Sequence, residues 1–272
     1  MVVLKPNATE GTQVPLFNYE ENKMTGQLLM VVGKPTSGKT FSLSGLTNQE
    51  KVLYLNCEGS GKPLPFRNKF IKQIVTEPYP ELLGESSFFQ QAINSNGKIE
   101  TIVIDTLTFL MRTVETKYVK TADPKHTMQA WGSYGDFYIN LLSQVGKLIA
   151  KGINVIVTSH VADRVNENDM VMESYIPIKG AVGKTGAEAD FSDIVSTKTV
   201  KIKDLEPYQN ELLHITDDER ELGCKHVIQT RLTKDTVGER IRTNGDMWKR
   251  EETFIDGNIQ LVLNRMKEFY GE

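Results

Sequence analysis

Eight consecutive residues, Gly33-Lys34-Pro35-Thr36-Ser37-Gly38-Lys39-Thr40, have the types and the spacing needed to hold a polyphosphate. They read G-x-x-x-x-G-K-T, set between the apolar run 27–32 and a segment able to start a helix, which is the context in which such an octet makes a phosphate-binding loop. Gly33 and Gly38 let the backbone wrap an anion closely, so that successive amides face it. Lys39 brings a point charge to the β- and γ-phosphates, and the Thr40 hydroxyl completes a Mg²⁺ shell otherwise made of phosphate oxygens and water. The expected ligand is ATP with Mg²⁺, held by residues 33–40 and by Phe41 directly behind them.

Three later strands end on polar side chains. The run 51–58 alternates and closes on Glu58 before a glycine, and a carboxylate at the C-terminal end of a strand beside the phosphate-loop strand is where a water-activating base would sit. The β-branched run 98–106 terminates in Asp105, expected to hold the Mg²⁺ water shell opposite Thr40. A third apolar strand, 154–160, closes on His160.

The elements that must position these groups follow from periodicity. The spacing predicts a helix over 40–49, a strand at 71–75, a helix over 82–93, a polar helix-and-loop excursion over 107–130 and an amphipathic helix over 133–151. Residues 161–189 have the composition of a mobile loop, strands are predicted at 193–201 and 226–232, and a helix at 258–270 ends the fold. Strands and helices alternate and then give way to strands, so the fold class is α/β, a mostly parallel sheet flanked by helices with terminal antiparallel strands. Residues 1–24 read as an arm that could lie on a neighbouring subunit, with 25–272 as a single domain.

Composition excludes other classes. With 272 residues, 39% hydrophobic and 25% charged, the chain is of ordinary globular character. The apolar runs at 28–32 and 153–157 fall far short of the roughly 20 residues that span a bilayer, and the start shows no charged-then-apolar signal pattern, so no membrane partner and a cytoplasmic location are expected. Cys57 and Cys224 are far apart and read as buried small hydrophobes. A net charge of −3 offers no global field for nucleic acid, which must be held by local patches.

In this order, residues 33–40, Glu58, Asp105 and His160 resemble the RecA/RadA recombinase core over roughly residues 25–240. The absence of a large extra domain at either end, with the sequence around these motifs, looks most like the small phage-encoded RecA-like single-strand annealing proteins. The resemblance implies that Glu58 polarises the attacking water, that Phe66 and Arg67 lie against the adenine, and that His160 senses the γ-phosphate, although RecA itself has glutamine there. It implies a first DNA-facing loop carrying Arg112, Lys117 and Lys120, and a second, over 161–189, carrying Arg164, Lys179 and Lys184. The stretch 161–190 carries three basic residues against six acids, so only the tip at 179–185 suits phosphates. Residues 225–250 hold seven Lys/Arg against three acids, and two uses compete: phosphate tracking along a nucleic acid, or insertion of Lys234 or Arg240 into the next subunit's nucleotide site. The expectation is a DNA-stimulated ATPase that assembles head to tail on single-stranded DNA and anneals it, with a single-strand binding protein as a further partner. A helicase loader or motor, and a DNA-independent regulatory or packaging protein, are the other classes.

Overall fold

The computed structural model describes residues 26–59, 61, 63–166 and 170–271; the expected arm at 1–24 and the acids Glu167 and Asp169 lie outside the described residues. An eight-stranded sheet runs in the order β10-β9-β8-β1-β5-β4-β2-β3. Its strands are β1 (Leu28–Gly33), β2 (Val52–Asn56), β3 (Ile71–Ile74), β4 (Thr101–Asp105), β5 (Asn154–His160), β8 (Asp193–Lys201), β9 (Cys224–Gln229) and β10 (Phe254–Asp256). β8, β1, β5, β4, β2 and β3 pair in parallel, whereas β9 and β10 add antiparallel at one edge. The expected α/β class with terminal antiparallel strands is the observed one.

β1, β2 and β4 are near-continuous apolar runs because both faces of a parallel sheet are covered. Alternate residues serve opposite faces. Val32, Leu55, Ile104 and Val157 pack under α3 (Leu107–Val114) and α4 (Thr127–Ala150), while Val31, Tyr54, Val103 and Ile156 pack with Trp248 and the Ile259, Val262 and Met266 side of α8 (Ile259–Gly271). Each such aliphatic side chain taken fully out of water contributes about 1.5–3 kcal/mol.

Four expectations are corrected. The helix expected over 40–49 is only α1 (Lys39–Ser42) followed by 3₁₀ turns, because Ser42, Ser44 and Gly45 hold a helix poorly and Gly45 lies so close to the Asn258 side chain that a Cβ would come within 1.9 Å of its Oδ1. The helix expected over 82–93 is broken at Gly84 into a π-helical turn, Tyr79–Leu83, and α2 (Phe88–Ile93), whose N-cap Ser87 accepts from the Gln90 amide. α4 starts earlier than expected, at Thr127. The stretch 161–189 is no open loop: β6 (Ala162–Asn166) and β7 (Val171–Tyr175) form an antiparallel hairpin, followed by α5 (Gly180–Thr185). Across the hairpin Arg164 lies directly opposite Glu173 and is ion-paired to it at 2.7 Å.

Two short helices, α6 (Ile202–Leu205) and α7 (Asp217–Leu222), separate β8 from β9. The strand expected at 226–232 is β9, which ends at Gln229; beyond it, backbone hydrogen bonds between Arg242 and Ile194 tie the basic stretch to β8, and Met247 and Trp248 are buried.

Candidate functional site

The C-terminal ends of β1, β5 and β4 lie side by side, and every expected catalytic or phosphate-binding group except the basic pair Lys234 and Arg240 follows from one of these strands or from β2. In register, Gly33 is level with His160, Asp105 with Asn56, and Val31 with Thr158. The sheet thus brings residues distant in sequence to one rim.

At the end of β1 the chain must turn in a space that admits no side chain: a Cβ on Gly33 would stand 2.4 Å from Ser37 Oγ and 2.5 Å from Thr197 Oγ1. Those two hydroxyls are hydrogen-bonded at 2.7 Å, which ties the loop to β8. Thr36 and Gly38 take left-handed backbone (φ 64° and 96°), so the loop curls before α1. Lys39 folds back inside the curl, and its Nζ donates to the carbonyls of Gly33 and Lys34, each at 2.8 Å. Burial lowers its ammonium pKa to about 8 against the pull of Asp105 and Glu58, which raises it. A buried cation whose donors meet only two carbonyls is suited to receiving an anion.

Thr40 Oγ1 donates to Asp105 Oδ2 at 3.0 Å. Asp105 is buried and also accepts from Tyr54 Oη at 2.6 Å and from the Thr158 hydroxyl. Tyr54 and Thr158 are positioning residues that sequence reasoning missed; the only trace is a polar residue within each of two apolar strands. Thr40 and Asp105 are hard oxygen donors of the kind Mg²⁺ takes, and no cluster of three His, Cys, Asp or Glu exists among the described residues. That fits Mg²⁺ held largely by phosphate oxygens and water rather than by a protein cage.

Glu58 follows β2, which is not beside the phosphate-loop strand as expected: β5 and β4 stand between them. Its backbone amide donates to Asn56 Oδ1 at 2.9 Å, and its charge still reaches Lys39 and Tyr54. The residue beside the loop is instead His160. Its Nδ1 is buried without a hydrogen-bond partner among the described residues, and burial and then Lys39 lower its pKa, so the ring is neutral near pH 7. It sits edge-on to Phe109 at 5.5 Å and lines a cavity of about 400 Å³ with Arg112, Glu115, Lys120 and Lys179.

The other expected residues divide. Arg112, Lys120 and Lys179 meet in that cavity, where Glu115 holds Lys179 at 2.9 Å and Lys120 at 3.6 Å. Lys117 pairs with Glu77, away from it, and Lys184 is exposed on α5. Phe66 packs edge-on to Phe41 (6.2 Å) and Phe70 (5.9 Å), and Arg67 is exposed. Lys234 is exposed, whereas Arg240 makes ionic contacts with Glu188 (2.7 Å) and Glu173 (3.5 Å) of its own chain. Cys57 is buried as expected, but Cys224 is only half-buried.

A mostly parallel sheet with a phosphate loop after β1 and an acid closing β4, two strands away, is a P-loop nucleotide-binding α/β core. The chain belongs to the AAA domain family, whose pattern matches residues 25–239. Among solved structures it is similar to a KaiC-like protein from the hyperthermophilic archaeon Pyrococcus horikoshii OT3, at 12% identity and a TM-score of 0.41 over 79% of this chain and 82% of that one. It is also similar to the RadB recombinase, at 18% identity and a TM-score of 0.36 over 65% of this chain and 76% of the other. No curated protein matches.

Proposed function

We propose that the protein binds ATP with Mg²⁺ on residues 33–40 and Asp105, hydrolyses it, and uses the nucleotide state to set its hold on single-stranded DNA, which it anneals in homologous recombination. The observation that carries this reading is the buried Lys39 ammonium inside the glycine-bearing curl, next in sequence to Thr40, whose hydroxyl donates to Asp105. In hydrolysis Glu58 accepts a proton from water, the water oxygen attacks the γ-phosphorus, and the bond to the bridging oxygen of ADP breaks. Thr40 and Asp105 would hold Mg²⁺, which would supply positive charge to the phosphate oxygens. His160, level with Gly33, senses the terminal phosphate and faces the cavity of Arg112, Lys120 and Lys179, where DNA phosphates bind.

Residues 25–272 act as one ATPase unit that assembles head to tail as ring or filament, the arm at 1–24 reaching a neighbour and Lys234 or Arg240 completing the next site. The likeness to phage annealing proteins supports a phage origin, action in the host cytoplasm and cooperation with a single-strand binding protein. A second reading, a nucleotide-gated protein indifferent to DNA, is favoured by the intrachain ion pairs that already occupy Lys117, Lys120, Arg164 and Lys179. ATPase rates with and without single-stranded DNA at several salt concentrations, beside an annealing assay, separate the two: stimulation that weakens with salt supports the first, and a flat response the second.

A further inference from the structure

A cavity of about 490 Å³ lies against the phosphate loop, ringed by the loop itself, the end of β8, the segment 235–240 and the β6–β7 hairpin. The pieces of this ring are joined one to the next. Ser37 Oγ and Thr197 Oγ1 join the loop to β8 at 2.7 Å, and Lys198 on β8 donates to Glu239 at 2.6 Å. The segment is fastened in turn to β7: the Ser174 amide donates to the Gly238 carbonyl at 2.8 Å, and the Arg240 amide donates to Ser174 Oγ at 3.1 Å. A Cβ on Gly238 would stand 2.1 Å from the Met172 carbonyl oxygen, so this joint is tightly packed. The ring closes where the start of the hairpin meets the loop. There the Val161 amide donates to the Gly33 carbonyl at 3.3 Å, and Lys34 Nζ donates to Asp163 Oδ2 at 2.5 Å.

These joints differ in kind. The Ser37–Thr197 pair is buried and the joint to β7 uses backbone, whereas the Lys34–Asp163 pair stands in water, with side-chain exposures of 64% and 34%. An exposed ion pair contributes little and yields readily to a competing charge. The two carbonyls that Lys39 Nζ occupies belong to Gly33 and Lys34, the same two residues that hold the hairpin. A nucleotide on the loop amides would draw Lys39 to its phosphates, free both carbonyls, and place negative charge beside Lys34 that competes with Asp163 and repels it.

We propose that Lys34 and Asp163 form a latch that reports an occupied phosphate loop to the β6–β7 hairpin, closed while Lys39 bonds the two carbonyls and open once a nucleotide takes Lys39 away; this rests on the nucleotide reading above. Lys39 serves the β- as well as the γ-phosphate, so ADP opens the latch as ATP does, which separates it from the terminal-phosphate sensing assigned to His160. Hydrogen exchange of the full chain, read on the amides of 162–166 and 171–175 beside calorimetric titration of the same samples, tests it. Saturating ATP or ADP with Mg²⁺ should speed hairpin exchange in the wild-type protein by about two- to fivefold, the scale of one exposed ion pair. Asp163→Ala, at an exposed position of β6, should exchange at that faster rate without nucleotide and gain nothing further from either one. Glu173→Gln removes another acid from the same cavity and breaks the Arg164 pair but spares the latch, so its hairpin should exchange faster throughout and still respond to nucleotide. Bound ATP with hairpin exchange unchanged, an Asp163→Ala protein that responds as the wild type does, or a response to ATP and not to ADP overturns the latch. A wild-type protein that binds neither nucleotide overturns the nucleotide reading itself.

Discussion

Lys39 has the most exposed consequences of any residue in the chain. Its ammonium is buried against two carbonyls, and its pKa is lowered from the usual lysine range to about 8. A folded-state pKa below the unfolded one means that the unfolded chain binds more protons between about pH 8 and the ordinary value near 10.4, so this group's cost to stability shrinks as pH rises through that window. Nucleotide affinity should move the other way. The phosphates bind the protonated form, so Kd for ATP should rise above about pH 8, by at most about tenfold per pH unit, whereas the binding that Lys39→Arg retains should be flat through that window because a guanidinium stays charged. Glu58→Gln should keep ATP affinity and lower turnover by about 10²–10⁴-fold, the usual contribution of a positioned base; steady-state hydrolysis at the wild-type rate would remove Glu58 from the role. At this scale much was legible in the sequence. The octet and Asp105 are recognisable by type and spacing alone, whereas Tyr54, Thr158 and Thr197, which hold them in place, are ordinary strand residues whose partners lie 51, 53 and 160 positions away.

The strands were readable because a parallel sheet buried on both faces writes itself as apolar runs, and β1, β4 and β5 fall where periodicity puts them. The hairpin β6–β7 was not, because both strands are short and charged: its pairing is held by Arg164 against Glu173, a cross-strand contact that composition reads as loop polarity. Nor could sequence order reveal that β5 and β4 separate β2 from β1, which moves Glu58 away from the strand it was expected to neighbour. Two predictions belong to elements. Gly33→Ala at the end of β1 would force a methyl against Ser37 and Thr197, and should cost about 1–3 kcal/mol, read as a lower urea midpoint. Glu115→Gln, at the end of α3, should release Lys120 and Lys179 into the cavity beside His160. Affinity for single-stranded DNA should then increase and log K against log salt steepen by roughly one unit, with ATP affinity unchanged; an unaltered salt slope would take the cavity out of the DNA path.

For the molecule as a whole, the proposed coupling between nucleotide and DNA must be reciprocal. Saturating single-stranded DNA should tighten ATP binding by the same factor by which ATP tightens DNA binding, measurable by titrating each ligand in the presence of the other. The basic stretch from Lys225 to Arg250, which reads as a +4 patch, is instead largely used internally: Lys225 is buried against Glu219 and Asp256, and Arg240 against Glu173 and Glu188. Charge counted along the chain overstated the field available to a partner. Everything functional nonetheless depends on a triphosphate occupying the curl after β1. Equilibrium binding of ATP with Mg²⁺ to the wild-type protein and to Lys39→Ala measures this most directly: one site per chain in the first and no detectable binding in the second is the expected result. Absence of binding to the wild-type protein, or equal binding to both, would contradict it.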